Sequence, residues 1–222
     1  MKSCLVSTKR HFERWFREEP GARVEVKTIA VIGADVVGRG IAYVAALCGY
    51  RTILEDVSEA RLGNAVAWVT LRLERGCGGG AVDEDAGKAA RARFSTAHTV
   101  EDAIRDADLI IETLPDDMEM HIELFTILDK FAKPNAIFAS TGFLSISELA
   151  EVTFCADRCI GMRFAGSPAE SRTMELVRGL ETSNEVVFAC SMVAGRLGKQ
   201  VMVVNEPDVN KSGETKRRLA NA

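Results

Sequence analysis

The chain has 222 residues, 47% of them hydrophobic, enough for one sizeable core and too apolar for a disordered polymer. A net charge of −4 and a pI near 5.6 exclude a broad electrostatic attraction for nucleic acid or for an anionic membrane. No apolar run approaches the roughly 20 residues of a bilayer span, and the opening MKSCLVSTKR lacks the apolar stretch of a secretory signal, so a cytoplasmic protein is expected.

Residues 1–25 read as a separate extension, because Phe12, Trp15 and Phe16 fall at helical spacing ahead of the Pro20-Gly21 break. From Lys27 the pattern alternates short β-branched runs with longer helical stretches, as in a parallel sheet. TIAVIG (28–33) predicts a strand, and residues 36–48 the helix after it. RTILED (51–56) predicts the second strand, followed by a helix through Trp68 and Leu73 that GCGGG (76–80) breaks. A further helical piece covers 83–93. ADLIIETL (107–114) and AIFAS (136–140) are strands flanking a helix over 118–131. CIGMRF (159–164), TMELV (173–177) and QVMVVN (200–205) complete the strands, with a helix over 184–197 before the last. The domain so defined spans 26–206, and the polar residues 207–222 form a fraying tail.

The six cysteines (Cys4, Cys48, Cys77, Cys155, Cys159, Cys190) form no CxxC pair and have no histidines at zinc-ligand spacing, so reduced thiols and no metal are expected. Cys155 and Cys159 lie four apart and would share one face of a helix.

The local signal that carries chemistry is GADVVGRG (33–40), lying between a strand and a helix. In a dinucleotide-binding turn the first glycine permits the bend, the second lets the backbone approach the pyrophosphate, and the third allows close helix packing. Gly33 and Gly38 fill the first and third places, with Val36 and Val37 between them, but Asp35 fills the second. A carboxylate there opposes the pyrophosphate by on the order of 1 kcal/mol in water and about 4 kcal/mol at an effective dielectric near 20. The helix N-terminus favours anions by roughly 0.3–1 kcal/mol, and can hold the Asp35 carboxylate itself as a cap. Asp56 ends the second strand, where an acid binds the adenine ribose hydroxyls and selects NAD over NADP; the competing reading is a helix N-cap. Glu55 is the poorer ribose partner, because side chains alternate along a strand. The fold class expected is α/β: a Rossmann-type, doubly wound, mostly parallel sheet with helices on both faces.

The blocks VIGADVVGRGIAYVAALCGYRTILEDVSEARL, DLIIETLPDD, ELFTILDKFAKPNAIFAS, LSISELA, CIGMRF and MELVRGLETS resemble the NAD-binding half of the bacterial 3-hydroxyacyl-CoA dehydrogenases over almost all of 26–206. The resemblance implies NAD as cofactor, an acyl-CoA as substrate, and oxidation of its 3-hydroxyl while a histidine takes the proton. That histidine opens a His-Phe-Phe-Asn-Pro block, and a glutamate closing a Met-x-Leu-Val-Glu block orients it.

Several positions depart from that pattern. Arg163 stands in the histidine's place, and a guanidinium stays protonated where a general base needs a pKa near the operating pH. Matching motif to motif puts Arg178 at the orienting glutamate, whereas counting without gaps lands on Glu175. The Ser-Asn-Thr-Ser-Ser-Leu loop reads Ser140-Thr141-Gly142-Phe143-Leu144, which leaves Ser140 and Thr141 as hydroxyl groups and no asparagine to carry over. The cofactor-facing glutamate becomes Asp116. The lysine five residues later becomes His121, with a solvated helix position as the competing reading and a neutral ring for much of its time at pH 7. The entry to the family's helical C-terminal domain reads Glu206-Pro207-Asp208-Val209, and the expectation is that the domain itself is absent, leaving half a substrate site, with a homodimer or another chain as the supplier of the rest. These departures lead to three readings: a dehydrogenase, its activity weak or lost; a non-catalytic dinucleotide- or CoA-binding or interaction module; or a truncated, decayed paralogue.

Overall fold

The computed structural model describes residues 24–78 and 84–206. The expected N-terminal helix and the polar tail lie outside the described residues, as do residues 79–83.

β1 (Thr28–Ile32) is buried along its whole length, as a central parallel strand covered on both faces must be. It runs through a tight turn into α1 (Val36–Leu47), and β2 (Arg51–Glu55) and α2 (Glu59–Gly78) follow. The helix continues to Gly78, past the break predicted from Gly76. α3 (Glu84–Arg93), β3 (Phe94–Ala97) and α4 (Val100–Ile104) lead to β4 (Leu109–Glu112) and α5 (Met118–Phe131). β5 (Ile137–Ser140) and α6 (Ile146–Ala150) come next, then β6 (Cys159–Phe164), β7 (Thr173–Arg178), α7 (Asn184–Arg196) and β8 (Gln200–Asn205). β3, α4 and α6 were not predicted: each has only four or five residues, too few to display a period. Cys155 and Cys159 do not share an α-helix face. They flank a single 3₁₀ turn (Ala156–Arg158), and Cys159 opens β6.

The eight strands form one sheet in the order β3-β2-β1-β4-β5-β6-β7-β8. Every pair is parallel except β6 with β7, joined by a hairpin. Strand alternation splits the core. Ile29 and Val31 of β1 face one layer with Ile41 of α1, Val69 of α2 and Val186 of α7. Ala30 and Ile32 face the other with Ala103 of α4, Phe125 of α5 and Ile146 of α6. Chain order reverses between β1 and β4, and ligands of such sheets enter the crevice at that switch point, beyond the carboxyl ends of the strands.

Candidate dinucleotide site

The turn at the switch point is held from three sides. Gly33 has φ +99°, a left-handed conformation that only glycine adopts without strain. A Cβ at Gly38 would strike the Gly33 carbonyl, so the helix can approach its strand only because this position is bare. The third contact comes from Thr113, just past β4, a residue the sequence reading passed over. Its hydroxyl reaches the carbonyls of Ile32 at 3.1 Å and Gly33 at 3.3 Å, and Asp35 Oδ1 at 3.3 Å. Only the pairing of β1 with β4 brings Thr113 there.

Asp35 is the N-cap of α1, and its Oδ1 accepts a hydrogen bond from Gly38 N at 2.7 Å. Asp56 lies at the end of β2, 4% exposed, accepting from Ala34 N at 3.0 Å and Ser58 N at 2.9 Å. The Arg61 guanidinium stands 3.6 Å from it. Asp56 does not cap α2. Ser58 Oγ takes that place, accepting from Arg61 N at 3.3 Å.

A cleft of about 660 Å³ opens between these residues and the loops after β4 and β5, within the usual size for a small-molecule site. Gly33, Asp35, Val37, Asp56, Asp116 and Thr141 line it, so most of the predicted cofactor residues come together. Asp116 Oδ1 also accepts from Phe143 N at 2.8 Å, and a Cβ at Gly142 would collide with that same oxygen, so the shortened loop is built around the aspartate.

Other predicted residues do not reach the cleft. Val36 is on the exposed side of α1, and Gly38 is buried behind the turn. Ser140 is fully buried, its hydroxyl accepting from Gly142 N at 3.2 Å, so it shapes the loop instead of facing a substrate.

His121 is neither a cofactor contact nor solvated. It is 0% exposed on the inner face of α5, with Nε2 3.1 Å from Glu112 Oε1 and Nδ1 2.7 Å from the Asp117 carbonyl. Both ring nitrogens thus face acceptors, the arrangement of an imidazolium. Burial works against the charge, but the Glu112 carboxylate and the Asp117 carbonyl outweigh it and hold the His121 pKa above its ordinary value. The other Glu112 oxygen accepts from Leu114 N at 2.7 Å, so the pair fixes the start of the loop that walls the cleft.

Arg163 near the end of β6 is a strut. Its Nε donates to Gly142 O at 2.9 Å and Nη2 reaches Leu144 O at 3.5 Å. The guanidinium lies 5.2 Å from the Phe143 ring centre, with Nη1 3.6 Å from Glu175. The hairpin register sets Arg163 opposite Glu175, which makes Glu175 its ion-pair partner. Arg178 lies further along β7 and donates from Nε to Thr182 O at 2.9 Å.

The cleft suits a dinucleotide in size and in having an acid at the end of β2, with one conflict: the Gly38 amide at the helix start is already taken by Asp35. Residues 28–207 match the family described as 3-hydroxyacyl-CoA dehydrogenase, NAD binding domain. The chain is 37% identical over 179 residues to the 3-hydroxybutyryl-CoA dehydrogenase of Bradyrhizobium diazoefficiens, covering 80% of this chain and 61% of that protein. It is 34% identical over 184 residues to the probable 3-hydroxybutyryl-CoA dehydrogenase of Bacillus subtilis, covering 82% and 64% respectively. Among solved structures, (S)-3-hydroxybutyryl-CoA dehydrogenase from Ralstonia eutropha superposes with a TM-score of 0.77 at 30% identity, over 82% of this chain and 65% of that one. The chain therefore spans less than two thirds of the length of these relatives. Its doubly wound sheet, its glycine turn and the match over 28–207 place it as an NAD-binding domain, and the chain belongs to the 3-hydroxyacyl-CoA dehydrogenase family.

Proposed function

We propose that this chain binds NAD weakly in the cleft at the β1–β4 switch point and has lost the family's oxidation of a 3-hydroxyacyl-CoA, or carries it out only residually. The observation behind this reading is Arg163. The reaction needs a group that accepts the hydroxyl proton, and this guanidinium stays charged at any physiological pH while its donors serve the Gly142 and Leu144 carbonyls and Glu175. Losing a general base costs about 10²- to 10⁴-fold in rate. Bound NAD would supply a hydride acceptor. Asp56 would hold the adenine ribose and Asp116 and Thr141 would line the nicotinamide side, while Asp35 would oppose the pyrophosphate.

Titration of the purified protein with NADH, followed by nicotinamide fluorescence, is expected to give saturable binding weaker than micromolar. NADH oxidation dependent on acetoacetyl-CoA is expected to stay at background. Turnover above background would overturn the inactive reading, and micromolar binding would overturn the role given to Asp35.

A second reading, an interaction module, has its own support. Met202 on edge strand β8 is 60% exposed and lines a second cavity of about 540 Å³ with Phe143, Arg163 and Glu175. An acyl-CoA, a second copy or another chain would approach here. Sedimentation that shows only monomer at every concentration would remove the self-association version of this reading.

A further inference from the structure

One buried acid in the cleft has no part in holding the ribose. Glu55 ends β2 beside Asp56 and is 2% exposed, and its Oε1 has no hydrogen-bond partner among the described residues. Its backbone pairs with Ile32 of β1 and Ala97 of β3, and it lines the same cleft as Val57, Val100, Leu124 and Ile127. Buried polar atoms in native proteins almost always have partners, so an orphan oxygen at the wall of a cavity points to a partner that arrives with a ligand. If Asp56 holds the adenine ribose, the base attached to that ribose lies against this apolar wall, within the reach of the neighbouring Glu55.

The charged groups around Glu55 determine which form it takes. Burial, then the carboxylates of Asp56 next to it and Glu101 on α4, push it up to about 7. Among the described residues that line the cleft, the one Lys or Arg is Arg61 on α2, which pairs with Asp56. Near neutral pH much of Glu55 is therefore a neutral carboxyl, which offers one donor and one acceptor as a carboxamide does. Adenine presents the complementary pair along either edge, an amino donor beside a ring-nitrogen acceptor, the pattern that Asn and Gln recognise in nucleic acids.

We propose that Glu55 reads the base of the dinucleotide, its buried carboxyl pairing with the amino group and adjacent ring nitrogen of adenine. The proposal rests on NAD binding in this cleft and adds to it a residue that selects the base. Raising the pH removes the carboxyl donor and adds a third negative charge near Asp56 and Glu101, so affinity falls as pH rises through 7.

The test compares NADH with its 1,N6-ethenoadenine analogue, in which the amino donor is abolished, on the wild type, Glu55→Gln and Glu55→Leu, by fluorescence or calorimetry from pH 6 to 8.5. Wild type at pH 6 and Glu55→Gln throughout are expected to prefer NADH by roughly tenfold more than Glu55→Leu does, which leaves only the steric effect of the etheno bridge. Wild-type affinity for NADH is expected to decline towards pH 8.5 and that of Glu55→Gln to stay flat. Equal preference in all three proteins, or the same pH slope in wild type and Glu55→Gln, overturns the base-reading role and leaves NAD binding standing. Absence of binding by either dinucleotide at millimolar concentration overturns both. Should Glu55→Leu fail to fold, the wild-type and Glu55→Gln pH profiles still decide the matter.

Discussion

The turn at Gly33–Gly38 and the β6–β7 hairpin both border the ligand crevice, and the chain treats them differently. At the turn the backbone geometry of a dinucleotide site is intact: a left-handed Gly33, a bare Gly38 packed on its carbonyl, and an acid at the end of β2. Only a side chain, Asp35, has entered the space. At the hairpin the strands pair in regular register, but Arg163 and Glu175 spend their polar atoms on the loop after β5 and on each other. Binding geometry resides largely in the main chain and survives side-chain exchange, whereas proton transfer needs one titratable group at one place and is lost with it.

The largest expected effect lies beneath the cleft half. His121→Leu removes one partner of a fully buried pair and leaves the Glu112 carboxylate uncompensated, a loss of about 3–5 kcal/mol in denaturant unfolding. Because the folded-state pKa of His121 is raised, the stabilisation from its protonation is fully present below its ordinary value near 6.5 and fades as pH rises through the folded value. Urea midpoints measured across pH should therefore decline more steeply above neutrality in the wild type than in His121→Leu. A variant as stable as wild type would show that the pair does not brace the β4 loop.

A smaller effect sharpens the contrast at the turn. Asp35→Asn keeps an acceptor for the Gly38 amide and removes the charge proposed to oppose the pyrophosphate. NADH affinity is expected to rise about tenfold, or about 1.4 kcal/mol, with stability unchanged within about 0.5 kcal/mol. Unchanged affinity would mean that the pyrophosphate passes clear of the carboxylate.

The smallest effect belongs to the hairpin. Arg163→Ala is expected to cost about 1 kcal/mol or less, since the Glu175 pair is partly solvated, and to loosen the 141–144 loop. Faster amide exchange at Gly142 and Phe143, with exchange in β1 unaltered, is the signature. Faster exchange in both regions would break the separation between them.

The sheet was legible because its strands are buried on both faces: TIAVI, LIIE and CIGMRF read as apolar runs without any partner in view. Gly33, Asp35 and Asp56 were legible because turn chemistry and strand ends are local. The short β3, α4 and α6 were not, because four or five residues become regular only when neighbours cover them. What fixes Glu175 as the partner of Arg163 is the antiparallel register of β6 with β7, which spacing along the chain does not set.

The amino-acid order by itself therefore determined the α/β alternation, the glycine turn, the acid closing β2 and the absence of a titratable base at position 163, all properties of neighbours in the chain. Tertiary structure alone decided that Thr113 pins the turn, that His121 is buried against Glu112, that Arg163 braces the loop after β5 and that Glu55 lines the cleft with a buried oxygen that has no partner among the described residues. Each of these depends on which strands lie side by side and which faces water cannot reach, and burial is what gives a carboxylate, an imidazole or a hydroxyl its charge and its partner.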